Sequence, residues 1–494
     1  MKLILKGHDY RYAVEQSLLA FFPGERPVYE GEEENTAAVC LAAEEDQYTA
    51  VTTLRMDGKT AQGVSCADVS GETDPYERER QLQRIVKLSF FKAARELTGM
   101  TPVWGALTGI RPAKLAEGLL TRHGRAAADE ILEKTYFVSP ERRRLALECA
   151  EAGLAAKADL TPDDISLYVG IPFCPTRCAY CSFVSNSVEK SLHMVEPYVE
   201  SLLREIDRSA ELVRELGLTV KSFYMGGGTP TTLSADQMRR VLERMNSRFD
   251  LSRVAEYTVE AGRPDTITPE KLQTLKDCGV TRISVNPQSM SDKVLTAIGR
   301  RHSAADIRSA MELVQQVGFA HVNMDLIAGL PEDTPESFFA TLDEVIGFGT
   351  DNITVHTLSL KKGSRITLER TRIPSEAEVA QMLDYADPAL RRAGFAPYYL
   401  YRQKYQSGSF ENVGWCKPGG IGWYNIYIME ELHSILSMGA GGSTKMVDAA
   451  GGRIERVFNP KYPAEYRERP EKILENHRAF REFYQSGRQA QQER

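Results

Sequence analysis

The chain has 494 residues, of which 42% are hydrophobic and 26% charged, so a disordered or fibrous protein is excluded. Its 61 basic and 68 acidic residues give a net charge of −7. That balance argues against a dedicated nucleic-acid or membrane-surface binder, because both need a basic face. The N-terminal MKLILKGHDYRYAVEQ has too short an apolar run for a signal peptide or spanning helix, so we expect a cytoplasmic protein.

Residues 1–160 are predicted to form a separate α+β domain, to which the sequence assigns no role. Residues 36–43 and 47–56 read as two strands of a hairpin, and residues 77–99 and 139–158 read as helices. The polar, proline-containing stretch 157–165 is the expected domain boundary.

A strand–helix alternation begins near residue 166 and defines a second predicted domain, residues 161–375. Short apolar or β-branched runs begin at residues 166, 221, 256, 281, 321 and 352. Helical patterns fill the intervals, over residues 196–216, 234–247, 291–299, 303–317 and 335–347. This alternation is typical of a parallel sheet, either doubly wound or an incomplete barrel. In both architectures the chemistry lies at the carboxyl ends of the strands.

The remainder, residues 376–494, is predicted to be a mostly helical C-terminal region that covers a substrate. It opens with a helix and continues into an aromatic-rich stretch, PYYLYRQKYQSGSF. Within that stretch, Tyr398, Tyr399, Tyr401, Arg402, Lys404 and Tyr405 have the composition of a macrocycle-binding surface. A strand that packs on the barrel explains the same alternation and is the preferred interpretation. His356, at the end of the sixth strand, is either a haem ligand or proton carrier or, more simply, a structural histidine.

Three of the eight cysteines, Cys174, Cys178 and Cys181, fall within eight residues directly after the first parallel strand. Three thiolates on one loop can bind three irons of a [4Fe–4S] cluster and leave the fourth iron open. A structural zinc site is the alternative, but such a site normally has four ligands in two close pairs. The other five cysteines are predicted to be ordinary, mostly buried residues.

The spacing CxxxCxxC, with Tyr180 before the last cysteine, resembles that of the radical S-adenosylmethionine superfamily. The resemblance implies a partial (β/α)6 TIM-like barrel over residues 166–360, a [4Fe–4S] cluster and S-adenosylmethionine. It also implies a one-electron donor, such as flavodoxin or ferredoxin, that drives reductive cleavage of the cofactor to a 5′-deoxyadenosyl radical. The protein binds the cofactor and excludes competing reactions.

Further motifs match that superfamily residue by residue. The resemblance implies that Tyr168 and Glu260 are catalytic and also contact the cofactor. Arg300 is the expected partner of the cofactor carboxylate, whereas the neighbouring Arg301 is expected to be solvated. The full set of expected cofactor-binding residues is Tyr168, Tyr180, Gly226, Gly227, Gly228, Thr229, Glu260, Gln288, Arg300 and Asp325.

The combination YVGIPFCPTRCAYCSF, GGGTPT, VEAGRPD, SVNPQSM and NMDLIAGLPEDT resembles the oxygen-independent coproporphyrinogen III oxidases, and the flanking segments resemble their HemZ branch. The resemblance implies a tetrapyrrole substrate and oxidative decarboxylation of two propionates of coproporphyrinogen III to give protoporphyrinogen IX. Gly170 and Phe183 stand where well-studied oxidases have histidine and cysteine, and Phe183 matches the haem-chaperone relatives. A haem chaperone that retains the cluster, or a radical enzyme acting on haem or another tetrapyrrole, are therefore the alternatives.

Overall fold

The computed structural model describes residues 1–181, 186–360, 364–366, 372–403, 407–448 and 452–492. The chain divides into two compact units, Met1–Leu147 and Glu148–Arg494. The division falls within a helix, Pro140–Ala158, that the sequence predicts at residues 139–158. Phe183, Lys404 and Tyr405 lie outside the described residues.

The first unit is a four-stranded sheet in the order β1-β2-β3-β4. Its strands are β1 Lys2–Lys6, β2 Thr36–Glu44, β3 Gln47–Met56 and β4 Lys59–Asp68. Its helices are α1 Arg11–Phe21, α2 Pro75–Thr98, α3 Pro112–Lys134 and the start of α4 Pro140–Ala158. The predicted hairpin is present, with Glu44 opposite Gln47. The sheet and the buried face of α2 share an apolar core that includes Leu54, Phe90 and Phe91.

The second unit is built on an eleven-stranded sheet in the order β13-β14-β12-β11-β10-β9-β8-β5-β15-β16-β17. The six predicted parallel strands form its centre, as β5 Asp164–Ile171, β8 Thr219–Gly227, β9 Glu256–Glu260, β10 Arg282–Ser284, β11 His321–Ala328 and β12 Asn352–Thr357. A two-stranded pair, β6 Phe173–Cys174 and β7 Asn186–Ser187, follows β5. Strands β5, β9, β10 and β12 are almost continuously buried, as is typical of a parallel sheet that helices cover, whereas β8 and β11 are buried over about half of their residues.

The helices between the central strands are α5 Val188–Glu215, α6 Ala235–Arg248, α7 Pro269–Asp277, α8 Asp292–Ala297, α9 Ala304–Val317 and α10 Pro335–Gly347. Several begin at side-chain caps that the sequence encodes. Ser234 and Ser303 each form a reciprocal capping box with the residue three positions later. These caps fix where each helix starts and therefore the length of the loop at each strand end.

The C-terminal region adds strands to both edges of the barrel as well as helices. Its strands are β13 Ala396–Arg402, β14 Glu411–Cys416, β15 Ser434–Met438, β16 Ser443–Asp448 and β17 Arg453–Phe458. Its helices are α11 Glu376–Arg392, α12 Trp423–Glu430, α13 Pro463–Glu468 and α14 Pro470–Gln492. Strand β15 pairs in parallel with β5, the strand that precedes the cysteine loop. Among the described residues, no helix is both long and apolar enough to cross a membrane.

Candidate active site

A cavity of about 730 Å³ opens at the carboxyl ends of the parallel strands. Parallel strands present these ends at one edge of a barrel, so loops far apart in sequence meet there. The cavity brings together all but one of the expected cluster-binding and cofactor-binding residues. Those that line it are Tyr168, Cys174, Cys178, Tyr180, Cys181, Gly227, Gly228, Thr229, Glu260, Gln288, Arg300 and Asp325. Gly226 lies directly beneath this surface, beside Tyr224 and Glu260.

The cysteine loop is held by neighbouring strand-end loops rather than by its own residues alone. The Thr229 hydroxyl donates to Cys174 Sγ at 3.5 Å, and Arg263 Nη1 donates to Cys178 Sγ at 3.7 Å. The backbone N–H of Ala179 donates to the Ile298 carbonyl at 2.9 Å. The three thiols are therefore presented on one anchored loop that faces the cavity.

The glycine triplet allows backbone to approach the cysteine loop closely. A Cβ atom at residue 228 would lie 2.5 Å from the Phe173 carbonyl oxygen and 3.0 Å from Cys174 Sγ. Contacts that short do not occur between real side chains, so glycine is required there. Gly227 has a φ of 110°, which also favours glycine. The exposed backbone of this loop is available to a ligand.

Two acidic side chains in the cavity have opposite electrostatic environments. The pKa of Glu260 is raised to about 7, mainly by removal from water and to a lesser extent by the nearby Asp325 carboxylate, while hydrogen bonds from the Tyr224 hydroxyl and the Gly227 backbone act in the opposite direction. Burial also acts on Asp325, but the His356 side chain at 3.9 Å and polar neighbours such as Asn323, which donates a 2.8 Å hydrogen bond, outweigh it and lower the pKa of Asp325. Asp325 is therefore a carboxylate at neutral pH, whereas Glu260 exists in both protonation states.

Gln288 and Arg300 present polar groups to the same cavity. Gln288 has a φ of 67°, an unusual conformation for a residue other than glycine, and its backbone pairs with β11. Within the part of the chain that the structure describes, its buried Oε1 atom has no hydrogen-bond partner. Arg300 Nη2 donates to the Tyr180 hydroxyl at 3.1 Å. A buried amide oxygen without a hydrogen-bond partner is costly, so the Gln288 oxygen at the cavity wall is available to accept a hydrogen bond from a bound ligand.

Tyrosine side chains form a large part of the cavity wall. Tyr168, Tyr224 and Tyr424 stack with ring centroids 4.5 to 6.3 Å apart. On the β13 side, Tyr399 and Tyr401 also line the cavity, and the Tyr401 hydroxyl lies 3.4 Å from His356 Nδ1. Tyr398 is buried outside the lining, and Arg402 Nε donates to the Ser409 carbonyl. Alternate residues of the aromatic stretch therefore have different surroundings: Tyr399 and Tyr401 line the cavity, whereas Tyr398 is buried outside it.

Several lining residues were not singled out from the sequence, among them Thr176, Arg263, Asn286, Asn323, Tyr224, Asn412 and Tyr424. Arg263 stands three residues after Glu260, in the motif VEAGRPD at the end of the third strand. That position alone would have predicted that Arg263 lies near the site. Tyr424 had no such signal, because it reaches the cavity from helix α12 in the C-terminal region.

The comparisons with known proteins identify the class to which this barrel belongs. The sequence profile of the Radical SAM superfamily matches residues 168–345. The solved structure of coproporphyrinogen III oxidase (HemN) from Escherichia coli, a radical SAM enzyme, has a TM-score of 0.52 and 23% identity to this chain. The match covers 65% of this chain and 72% of the HemN chain, which establishes that the two share a fold. The domain is thus a radical SAM barrel, and a [4Fe–4S] cluster and S-adenosylmethionine are its cofactors.

A relative that matches nearly the whole chain identifies the family within this superfamily. The oxygen-independent coproporphyrinogen-III oxidase-like protein HemZ from Bacillus subtilis is 37% identical over 447 residues, 89% of this chain and 89% of that protein. The haem chaperone HemW from Mycobacterium tuberculosis is 29% identical over 56% of this chain and 68% of its own. The chain belongs to the family of the HemZ oxygen-independent coproporphyrinogen-III oxidase-like proteins.

The residues present fit those cofactors. Three thiols on one loop, a glycine loop against Cys174 and the unpaired Gln288 oxygen form a cradle of suitable chemistry at one end of the cavity. The tyrosine side chains line the same cavity.

Proposed function

We propose that the protein is a radical S-adenosylmethionine oxidoreductase that converts coproporphyrinogen III to protoporphyrinogen IX without oxygen. The supporting observation is the identity to a coproporphyrinogen-III oxidase-like protein over 89% of both chains. In this reaction each of two propionates gives a hydrogen atom to the radical derived from S-adenosylmethionine, releases carbon dioxide and passes one electron to an external acceptor, and so becomes a vinyl group.

In this proposal the chain's own residues hold the cofactors in place. Cys174, Cys178 and Cys181 bind the cluster, which with S-adenosylmethionine supplies hydrogen-atom abstraction when both are bound. The cofactor itself is held by Tyr180, Gly226, Gly227, Gly228, Thr229, Gln288 and Arg300, together with Tyr168, Glu260 and Asp325. Asp325 stays ionised and accepts hydrogen bonds, whereas Glu260 both accepts and donates near neutral pH.

The substrate would occupy the tyrosine end of the cavity. Flat aromatic faces suit a macrocycle, and His356 with the Tyr401 hydroxyl offers polar contacts to its carboxylates. Tyr168 lies where the two ends meet, since it lines the cavity and its hydroxyl is 3.4 Å from the position of a Cβ atom on Gly227. We therefore assign Tyr168 and Glu260 to the reacting centre.

The electron donor in this proposal is flavodoxin or ferredoxin, since reduction of the cluster requires a strong one-electron reductant. All eight cysteines are free thiols, which fits a reducing compartment such as the cytoplasm. The functional divisions we propose are residues 1–160 with no assigned role, 161–375 as the radical domain and 376–494 as the substrate-covering region.

The test is an anaerobic assay of the reconstituted protein with S-adenosylmethionine, a reductant and coproporphyrinogen III. We expect protoporphyrinogen IX and 5′-deoxyadenosine to form together, with C178A as the inactive control. Deoxyadenosine without any protoporphyrin product would show that the substrate is a different one.

A haem chaperone is the second candidate, because HemW is 29% identical over 56% of the chain and His356 lines the cavity. It predicts stoichiometric haem binding without cofactor turnover. The same preparation, titrated with haem and followed by its absorbance, distinguishes the two candidates, with H356A as the variant that loses an axial ligand.

A further inference from the structure

Arg263 is a buried arginine whose side chain reaches the cysteine loop from the end of the third strand. Its side chain is only 3% exposed. The guanidinium donates to Cys178 Sγ at 3.7 Å, to the Thr176 carbonyl at 3.3 Å and to the Thr176 hydroxyl at 3.1 Å. One side chain thus links two residues of the loop that carries the cysteines.

The position of Arg263 is fixed from the other side by Asp265. Nε and Nη2 of the arginine donate to the two carboxylate oxygens of Asp265 at 3.1 and 2.9 Å. The Arg263 carbonyl accepts from the Thr266 hydroxyl at 2.7 Å, and Thr266 in turn meets Thr231 at 2.6 Å. A bidentate pair and an anchored backbone hold the guanidinium in one orientation.

We propose that Arg263 is a positioning residue for the cluster loop and that its N–H···S hydrogen bond raises the reduction potential of the bound cluster. The inference rests on the proposed cluster site, but not on the identity of the substrate. Hydrogen bonds to cysteine sulfur and nearby positive charge stabilise the reduced, more negative cluster. Burial keeps this interaction from being screened by water and salt.

The inference also predicts that a change at Asp265 shifts the reduction potential of the cluster in the opposite direction to a change at Arg263. Its carboxylate compensates the arginine charge beside the cluster, so its removal leaves that charge unbalanced. Neutralising Arg263 therefore lowers the cluster potential, whereas neutralising Asp265 raises it. A purely structural role for the pair would not produce shifts of opposite sign.

The test is a redox titration of the reconstituted full chain, without S-adenosylmethionine, followed by electron paramagnetic resonance of the reduced cluster. At the potential where the unmodified protein is half reduced, we expect R263Q to lower the reduced-to-oxidised ratio about tenfold, equivalent to about 59 mV. D265N should raise that ratio. Arg301 is the matched control, because its 66% exposed side chain pairs with Glu189 at the surface, so R301Q should not shift the potential.

An unchanged ratio in R263Q, with the iron and sulfide content of the unmodified protein, would overturn the inference. If R263Q takes up too little cluster to titrate, D265N decides alone, and a ratio that is unchanged or lowered there overturns it. Both outcomes differ from failure of the cluster assignment itself, in which C178A would retain the cluster.

Discussion

The Tyr224 hydroxyl donates a 2.5 Å hydrogen bond to Glu260 Oε1, joining the second and third parallel strands inside the cavity. Gly226 makes the approach possible, since a Cβ atom there would lie 2.8 Å from Tyr224 Cε1 and 3.0 Å from Glu260 Cδ. The first glycine of the GGGTP motif therefore leaves the space in which the Tyr224 and Glu260 side chains meet.

The raised pKa of Glu260 predicts a pH-dependent stability. Folding raises this pKa from 4.5 to about 7, so the folded protein retains a proton that the unfolded chain releases. The stabilisation is complete below pH 4.5 and is lost as the pH rises through about 7. Relative to E260Q, the cofactor-free protein should lose about 2.5 kcal/mol of unfolding free energy between pH 5 and 8.

Denaturant unfolding of both proteins at several pH values measures this difference. The control is E270Q, whose exposed carboxylate lies in the first turn of α7 and should track the unmodified protein. A constant difference between E260Q and the unmodified protein across the range would contradict the assignment.

The cluster assignment predicts that each cysteine of the loop is needed. C174A, C178A or C181A should abolish the brown iron–sulfur absorbance after anaerobic reconstitution, because the proposal assigns one iron to each thiolate. C66A, which removes an exposed thiol of the first unit, should load normally. Iron and sulfide analysis measures the result, and an intact cluster in any of the three loop variants would refute that ligand.

Gly228→Ala should impair the cluster loop even though the change is small. The new methyl group would overlap the Phe173 carbonyl, at 2.5 Å, and press on Cys174 Sγ, at 3.0 Å. We expect reduced cluster content and loss of S-adenosylmethionine binding, measured by equilibrium dialysis. Gly347→Ala is the control, since a Cβ atom there meets nothing within 4 Å, and it should bind the cofactor as the unmodified protein does.

Gly170 stands where the well-studied oxidases have a histidine, and the packing around it accounts for this difference. A Cβ atom at residue 170 would lie 3.3 Å from the Ala440 carbonyl oxygen and 3.4 Å from Tyr168 Cε1. The turn after β15 occupies this space, because β15 pairs with β5. The 3.3 Å contact is tighter than most contacts of real Cβ atoms, so any side chain at residue 170 requires its neighbours to shift.

We expect G170H to lower the unfolding free energy by about 1–3 kcal/mol, as overpacked cores do, and to give no gain of activity. G170A needs only a small shift of its neighbours and should cost less. Thermal unfolding ranks the two, and a G170H protein as stable as the unmodified one would disprove the steric argument.

Much of the site was predictable because its parts are local in sequence. Three cysteines within eight residues define the cluster loop, and GGGTP, Glu260, Gln288 and Asp325 each lie in or just after a strand. Parallel strands end at one edge, so the βα rhythm alone implies that these residues meet. The six central strands and the helices between them were recognisable for the same reason.

Long-range packing, by contrast, brings residues from distant parts of the chain to the cavity wall. Tyr424 stacks on Tyr168 only because α12 packs against strand β8, and β15 lies beside β5 only through long-range pairing. Likewise, Arg263 reaches Cys178 across the carboxyl edge of the sheet. Local periodicity carries no information about such pairings, which depend on burial and register among segments far apart in the chain. The amino-acid pattern thus determined the barrel and its cluster loop, whereas long-range packing determined the walls of the cavity and the charges beside the sulfur.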